Sequence, residues 1–351
     1  MKKIFFIIFI FMLFMFVLSS CGSDSAPSAP SGTATYTPTF TPTFTSTVNY
    51  TRTAEVIATQ TAVAELSYTE MVSVSGGAFV QEDTSGNSFS HTISAYKIGK
   101  YEVTYELWYE VYQWALLNDY FFQNTGREGN YASVDGSAPG AAKYEPVTLI
   151  SWRDIIVWCN AYSEMTGLTP VYYTDAVFES VLKDSRDGSY AAGINTAPGS
   201  FDNPYINENA DGYRLPSEGE WQYAARYIDG SSWQPVSYAS GAAADYFDNT
   251  ETAKAAWYDY NSLMTTHDTG LKAPNALGLY DMSGNVYEFC RDWYGDYPGA
   301  SSDYTGPDSG QNRIMYGGAY NYYSHYLRCG RRDSVQPYFE GHMTGFRLSR
   351  N

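Results

Sequence analysis

The chain has 351 residues, of which 38 are acidic and 21 are lysine or arginine, so its formal net charge is −17 at pH 7. A protein this acidic repels phosphate backbones, and no basic stripe interrupts the sequence, which excludes nucleic acid as a predicted partner. The four histidines lie far apart and form no paired metal-ligand motif, which argues against a histidine-ligated iron or zinc centre.

The N-terminal residues have the pattern of a lipoprotein signal peptide. Two lysines precede an apolar run, Ile4–Val17, that is too short for a membrane-spanning helix, and Leu-Ser-Ser then leads to Cys21. We therefore predict that residues 1–20 are removed and that Cys21 carries acyl chains. The alternative is an uncleaved anchor with an incidental cysteine. Lipidation would hold the protein at the membrane of the cell envelope, on its outer surface.

Residues 21–67 differ in composition from the rest of the chain. Thr, Ser, Pro and Ala dominate this stretch, which cannot bury enough apolar surface to offset the entropy of ordering. We interpret it as a flexible tether. From residue 68 to residue 351 the composition is that of a globular domain, with no second linker and with recurrent Gly-, Asn- and Asp-rich patches. This pattern predicts one irregular α+β domain with many loops.

Capping residues and apolar periodicity predict three helices in this domain. The first begins after Thr104, the second covers Trp152 to Met165, and the third begins at Ser217, which forms a capping box with Glu220. Short strands are predicted at 71–74, 93–98, 314–318 and 345–348.

Four sequence blocks, in order along residues 68–351, resemble the signatures of one family. They are Arg214–Trp221 (RLPSEGEW), Asn275–Glu288 (NALGLYDMSGNVYE), Gly317-Gly318 and Gly345-Phe346-Arg347. Together they resemble formylglycine-generating enzyme, of the sulfatase-modifying-factor family. The resemblance implies an α+β, C-type-lectin-like formylglycine-generating-enzyme fold with little regular secondary structure.

The resemblance does not extend to the residues that carry the family's chemistry. In the enzyme two cysteines bind copper, and their positions fall here on Ser324 and within 321–323. The family's catalytic serine corresponds to Ala319 and its active-site tryptophan to Tyr287, whereas its arginine is retained as Arg332. Soft thiolates are the ligands that select copper(I), and neither cysteine is present at these positions. We therefore predict that this protein is not an enzyme.

The better-preserved of the family's calcium sites has residues here that could supply the same kinds of ligand. Carried over, its ligands are the carboxylates of Asp281 and Glu288 and the backbone carbonyls of Gly284 and Val286. Hard oxygen ligands of this kind suit Ca²⁺, which would be a structural cofactor. The alternative is that the two carboxylates only cap turns and pair with neighbouring basic side chains.

Three cysteines remain beyond Cys21. An exported domain can form disulfides, and we predict a pair between Cys290, which follows the calcium motif, and Cys329, which follows the two glycines. The resemblance matches Cys329 to a structural cysteine of the family, whose partner position is Ala225 here. Cys159 would then be a small buried apolar residue on the second helix.

Residues 319–343 depart most from the enzyme. Tyr, Asn, Ser, His and Asp crowd this segment, the residue types with which antibody loops bind varied ligands. The arrangement resembles the variable proteins of diversity-generating retroelements, the treponemal ones among them, in which this fold displays a hypervariable C-terminal face. The residues predicted to contact a ligand are Tyr320, Asn321, Tyr322, Tyr323, His325, Tyr326, Asp333, Ser334, Val335, Tyr338, Phe339 and His342.

The predicted function is therefore non-catalytic binding of a protein or glycan on host or neighbouring cells. Tyr is common throughout the chain, with 34 residues, so these tyrosines alone do not prove a binding face. The alternative is an ordinary sulfatase-modifying-factor domain protein with a structural or unknown enzymatic role.

Overall fold

The computed structural model describes residues 68–130, 134–186 and 193–351. The predicted signal peptide, Cys21 and the tether lie outside these residues. Within the described part, none of the helices combines the length and apolarity that crossing a bilayer requires.

The three predicted helices form, and Thr104 and Ser217 cap the first and the third as the sequence indicates. Thr104 Oγ1 accepts a hydrogen bond from the Leu107 amide (3.3 Å), and capping boxes at Ser151 and Ser217 begin the second and third helices. A fourth, short helix that the sequence did not suggest begins after Asp248. The helices are α1 (Tyr105–Leu116), α2 (Trp152–Met165), α3 (Glu218–Arg226) and α4 (Asn249–Ala255).

Fourteen short strands make several small sheets in the described residues. The strands are β1 (Met71–Val74), β2 (Gly77–Glu82), β3 (Ser88–Ile93), β4 (Tyr96–Gly99), β5 (Arg127–Glu128), β6 (Val147–Thr148), β7 (Tyr172–Tyr173), β8 (Tyr205–Ile206), β9 (Tyr287–Trp293), β10 (Ser301–Ser302), β11 (Arg313–Tyr316), β12 (Asp333–Val335), β13 (Thr344–Gly345) and β14 (Ser349–Arg350). The largest sheet of the described residues has four strands in the order β12-β11-β9-β13. In it β13 runs parallel to β9, and the other pairs are antiparallel.

Three of the four strand predictions need correction. The strand predicted at 314–318 ends at Tyr316, because Gly317 and Gly318 have φ of +93° and +72° and turn the chain out of the sheet. The strand predicted at 345–348 is two short strands, β13 and β14, which flank Phe346 and Leu348 and belong to different sheets. The chain also bends after Ile93, so the strand predicted at 93–98 begins only at Tyr96.

Two aromatic cores support the four-stranded sheet. In the first, Trp108 of α1 stacks on Trp158 of α2 with a centroid distance of 5.6 Å, and Phe346 meets both rings edge-on. In the second, Trp221 of α3 stacks on Tyr316 of β11 at 4.6 Å. All seven residues of β9 are buried between these cores. The outer strand β12, by contrast, is only half-buried, so the sheet presents one accessible edge.

The predicted Cys290–Cys329 disulfide is wrong, since Cys159, Cys290 and Cys329 are all free and buried. Cys329 lies against α3, with its thiol 3.8 Å from the carbonyl of Ala225, the family's usual partner position. Cys290 is held within β9, where its carbonyl accepts a hydrogen bond from Trp152 Nε1 (3.0 Å). Burial raises the pKa of the Cys329 thiol to about 12 and raises that of Cys290 well above its ordinary value.

Candidate ligand-binding site

A cleft of about 320 Å³ opens beside β12, between the 3₁₀ turn Ser324–Tyr326 and the segment that leads into β13. It is lined by Tyr287, Met315, Tyr322, Tyr326, Arg331, Asp333, Ser334, Val335, Phe339, Met343 and Thr344. Tyr322, Tyr326, Asp333, Ser334, Val335 and Phe339 are residues that the sequence predicted as ligand contacts. The structure therefore brings half of the predicted set together in one concave site.

Asp333 is the central polar group of the cleft. Its Oδ2 accepts a hydrogen bond from the Tyr287 hydroxyl (3.0 Å), and its Oδ1 accepts from Arg331 Nη2 (3.0 Å). Arg331 Nε also donates to Oδ2 (3.1 Å). The hydrogen bonds to Asp333 raise the pKa of Arg331, and burial with the nearby Asp333 charge raises the pKa of Tyr287. The carboxylate is thus neutralised by a neighbour, which leaves the cleft with little net charge.

Three tyrosine rings form one wall of the cleft in edge-to-face contact. Tyr322 meets Tyr287 with a centroid distance of 5.1 Å and an interplanar angle of 87°, and it meets Tyr326 at 4.8 Å and 75°. The guanidinium of Arg331 lies 4.6 Å from the centre of the Tyr326 ring. Edge-to-face packing of this kind fixes ring orientation beyond what apolar burial alone achieves, so the wall is preorganised.

Short-range hydrogen bonds hold the backbone that carries these tyrosines. The Tyr322 amide donates to the Ala319 carbonyl (3.0 Å), and the Tyr326 amide donates to the Tyr323 carbonyl (2.9 Å). The segment is therefore a sequence of defined turns, and its side chains project from a fixed frame.

Five other predicted contacts are at least partly exposed but do not line the cleft: Asn321, Tyr323, His325, Tyr338 and His342. Tyr323 is the most open tyrosine of the segment, with 65% of its surface exposed. His325 packs on Tyr326 with a centroid distance of 4.3 Å. These residues extend the accessible face beyond the cleft.

Tyr320 does not belong to the accessible face. Only 6% of its surface is exposed, and its ring packs in the core beneath the cleft. Its amide donates to the Asn285 carbonyl (2.9 Å), and its carbonyl accepts from Ser262 Oγ (2.6 Å). The prediction that Tyr320 contacts a ligand is therefore corrected to a structural role.

Five lining residues were absent from the predicted set: Tyr287, Met315, Arg331, Met343 and Thr344. Tyr287 carried a usable signal, because it occupies the position of the family's active-site tryptophan. The family's retained arginine, Arg332, does not line the cleft, since it pairs with Glu218 (Nε–Oε1 2.6 Å), and its neighbour Arg331 lines the cleft instead.

The predicted calcium ligands lie beside the second core. Both oxygens of Glu288 are engaged, because Oε1 accepts from Arg347 Nη2 (2.5 Å) and Oε2 accepts from Arg347 Nε and Trp221 Nε1 (2.6 Å each). Both members of the Glu288–Arg347 pair are fully buried. A cation bound through Glu288 would have to displace these donors, so the pairing matches the alternative interpretation of this residue.

Asp281 is more open to a cation than Glu288. Its Oδ2 accepts from the Gly270 amide (2.6 Å) and Thr269 Oγ1 (3.1 Å), whereas its Oδ1 is buried without a partner among the described residues. Burial raises the pKa of Asp281 to about 6. Gly284 and Val286 lie in the same loop, where the Gly284 amide donates to the Gly317 carbonyl (2.8 Å). The loop thus fits the predicted Ca²⁺ site at Asp281 but not at Glu288, and calcium binding stays a prediction.

A second cavity, of about 360 Å³, contains none of the predicted contacts. Its charged walls neutralise one another, since Arg214 pairs with Glu220 (2.7 Å) and Arg291 pairs with Glu208 (3.0 Å). The aromatic cleft is consequently the better candidate site.

Known proteins resemble this chain in both sequence and structure. Residues 56–351 match the family model of the sulfatase-modifying factor enzyme 1-like domain. The chain is 31% identical over 244 residues to the chaperone protein LppX of Paenibacillus barcinonensis, and the matched region covers 64% of this chain and 72% of that protein. It is 30% identical over 158 residues to the formylglycine-generating enzyme of Thermomonospora curvata, and here the matched region covers 39% of this chain and 49% of the enzyme.

The fold is similar to that of Treponema denticola variable protein 1, with a TM-score of 0.63 and 29% identity over 80% of this chain and 94% of that chain. These similarities confirm the predicted resemblance and the predicted fold class, an α+β, C-type-lectin-like fold with mixed sheets and few helices.

Proposed function

The chain belongs to the sulfatase-modifying factor enzyme 1-like family, and we propose that it is a non-catalytic member that binds a ligand in its aromatic cleft. One observation carries the proposal. The segment that holds the copper-binding cysteines of the enzyme here contributes Tyr322 and Tyr326 to an open, preorganised cleft. A site of chemical reaction has been replaced by a surface with large aromatic contact area.

The positions of the cysteines support a non-catalytic role. Copper(I) chemistry needs accessible thiolates, because the thiolate and not the thiol is the metal ligand. The thiols of Cys159, Cys290 and Cys329 are all buried with raised pKa values, and the cleft-lining set includes none of them. The retained Arg332 is committed to Glu218. The cleft therefore offers contact area and hydrogen bonds rather than a nucleophile or a soft metal site.

The construction of the wall supports ligand binding. Tyr supplies a large contact surface with only two rotatable side-chain bonds, so little conformational entropy is lost when a ligand docks. Here that loss is smaller still, because the Tyr287, Tyr322 and Tyr326 rings already hold one another in place.

A chaperone-like role is the second candidate, and the similarity to the protein named chaperone LppX favours it. Such a role would also use an accessible apolar surface to bind another protein. It differs from the first candidate in the selectivity expected at the cleft, because a chaperone binds many unfolded chains.

We place the protein on the outer face of the cell envelope, attached through acylated Cys21. The apolar run and the Leu-Ser-Ser-Cys sequence support this placement. Mass spectrometry of the membrane fraction should find a chain that begins at acylated Cys21. An intact Met1 or an unmodified Cys21 in that fraction would contradict the placement.

The binding proposal is tested by screening the full chain against a phage-displayed library of random peptides and against a glycan array. The best ligand is then measured with the Tyr322→Ser/Tyr326→Ser variant, and Tyr205→Ser, a half-buried tyrosine on β8, is the matched control. We expect the double variant to lose at least about tenfold in affinity and the control to bind like the wild type.

A second variant guards against misfolding. Val335→Arg places a long side chain in the cleft without removing an aromatic contact, and it should also weaken binding. If the best ligand binds both cleft variants as tightly as the wild type, the proposed site is wrong. Equal binding of unrelated denatured proteins would support the chaperone-like role instead.

A further inference from the structure

We propose that the partner is a protein, which inserts an apolar side chain into the cleft and rests on an adjoining loop, Asp259–Met264. The inference depends on the proposed function and deepens it, because it names the class of ligand and adds a second contact surface. It is carried by the polar groups of the cleft, by the exposed side chains of the loop, and by the bonds that join the loop to the cleft.

Three of the residues that line the cleft have polar side chains already hydrogen-bonded within the protein, namely Asp333, Ser334 and Thr344. Asp333 is bound by Arg331 and Tyr287, Ser334 Oγ accepts from Asn312 Nδ2 (3.4 Å), and Thr344 Oγ1 donates to the Gly341 carbonyl (3.1 Å). A glycan needs free donors and acceptors for its hydroxyl groups, and groups left unpaired on binding reduce affinity.

The remaining lining is apolar or aromatic and includes Met315, Val335, Phe339 and Met343. Methionine side chains adapt to varied apolar shapes and are common at such binding surfaces. An apolar side chain of a protein therefore fits this cleft better than a sugar ring.

The Asp259–Met264 loop exposes apolar side chains that the fold does not bury. Leu263 is 88% exposed, Tyr260 is 60% exposed and Met264 is 49% exposed. Leu263 and Met264 also lie side by side in the left-handed region, with φ of +57° and +61°. Side chains of this size rarely adopt such a backbone, and strain of this kind concentrates at ligand-binding sites.

Hydrogen bonds join this loop directly to the tyrosine segment. The Asp259 amide donates to the Tyr322 carbonyl (3.1 Å), and Ser262 Oγ donates to the Tyr320 carbonyl (2.6 Å). The Met264 amide in turn donates to Ser262 Oγ (3.0 Å). The loop is therefore joined to the backbone of the segment that forms the wall of the cleft, so a protein partner larger than the cleft could contact both.

The loop is also held rigid from its other side. Asn130 Nδ2 donates to the Met264 carbonyl (3.2 Å), and Asn130 Oδ1 accepts from Thr265 Oγ1 (2.8 Å) and the Thr266 amide (3.0 Å). Exposed Leu263 and Met264 are thus presented on a fixed frame rather than on a freely moving tip. An anchor pocket with fixed apolar side chains beside it is the arrangement found in the apolar core of protein–protein interfaces.

The test uses the full chain and the peptides selected from the random-peptide library. Leu263→Asn/Met264→Asn removes the apolar groups, and Asn tolerates the left-handed backbone, so the fold should be kept. Leu117→Asn is the control, because Leu117 is equally exposed (86%) but lies at the end of α1. We expect the double variant to lose at least about tenfold in peptide affinity and the control to lose none.

Two results would overturn the inference while the proposed function stands. One is selective binding of glycans that is lost in Tyr322→Ser/Tyr326→Ser. The other is unchanged peptide affinity in Leu263→Asn/Met264→Asn when the cleft variant has lost binding. If the asparagine variant melts at a lower temperature, Tyr260→Ser replaces it and must weaken binding for the inference to hold. Unchanged affinity in every variant would overturn both proposals.

Discussion

Tyr320 and Tyr323 show how strongly single positions of one tyrosine-rich segment differ. The ring of Tyr320 is packed in the first core, whereas Tyr323 is largely exposed and supports no core contact. Tyr320→Ser removes a buried aromatic ring and should lower the free energy of unfolding by about 3–5 kcal/mol. Tyr323→Ser should change it by no more than about 0.5 kcal/mol.

Denaturant unfolding of the two variants measures this difference. Similar losses of stability in both would mean that Tyr323 is also a core residue, and the accessible face would then lose its most open aromatic ring.

Asp292 is a buried acid whose ionisation should oppose folding. Burial, with help from the nearby Glu218 charge, raises its pKa to about 7. The pKa of Asp292 in the folded protein lies above its pKa in the unfolded chain. Its contribution to the free energy of unfolding is therefore fully present at acidic pH and is lost as the pH rises through about 7. For one such group, the free energy of unfolding changes by at most about 1.4 kcal/mol per pH unit.

Asp292→Asn should therefore gain stability relative to the wild type at pH 8 but not at pH 4. The matched control is Asp119→Asn, since Asp119 is exposed and its left-handed backbone accepts Asn. Thermal melts over this pH range measure the difference between variant and wild type. A difference that is constant with pH would show that Asp292 is ionised in the folded protein throughout.

At the scale of secondary structure, α3 depends on one capping box that also holds a buried ion pair. Ser217 Oγ accepts from the Glu220 amide (3.1 Å), and Glu220 in turn binds Arg214 through both carboxylate oxygens (2.7 and 2.8 Å). Ser217→Ala should cost about 1 kcal/mol, the usual cost of a lost cap. Glu220→Gln should cost more, about 3–5 kcal/mol, because the buried Arg214 charge loses its partner.

Chemical denaturation of both variants ranks the two contributions. If the glutamine variant is no less stable than the alanine variant, the ion pair adds nothing to the cap.

The same elements show how much of the fold the sequence could predict. Helices α1, α2 and α3 follow from local signals, because a capping residue and an apolar period lie within each segment. Helix α4 has only seven residues, too few for a period to be recognised. Strand limits were less accurate, since pairing between distant segments decides where β13 and β14 form.

About half of the residues that line the cleft could be predicted from the sequence, because local sequence does not show which distant segments pair. Its tyrosine wall lies in one segment whose composition is unusual, so six of its residues could be named from the sequence. Tyr287 and Met315 reach the cleft only because β9 and β11 pair, with Met315 opposite Phe289. Composition also could not separate buried Tyr320 from accessible Tyr322, since both belong to the same tyrosine-rich run.

For the whole molecule, the predicted calcium site has a simple thermodynamic consequence. An ion that binds only the folded state stabilises it by about 2.7 kcal/mol at a hundredfold excess over its Kd. If Asp281 and the neighbouring carbonyls bind Ca²⁺, melting curves in chelator and in millimolar Ca²⁺ should separate by several degrees, and Asp281→Asn should abolish the separation. Superimposed curves would mean that the buried Glu288–Arg347 pair replaces the ion.

We propose that the aromatic cleft is the surface through which this protein binds its ligand. Hydrogen–deuterium exchange of the full chain, with and without the tightest ligand from the peptide and glycan screens, tests it most directly. We expect slower exchange in residues 320–335 and 339–344, and in 259–264 when the ligand is a peptide. Protection confined to the cavity around Arg214 and Arg291, with no change beside β12, would contradict it.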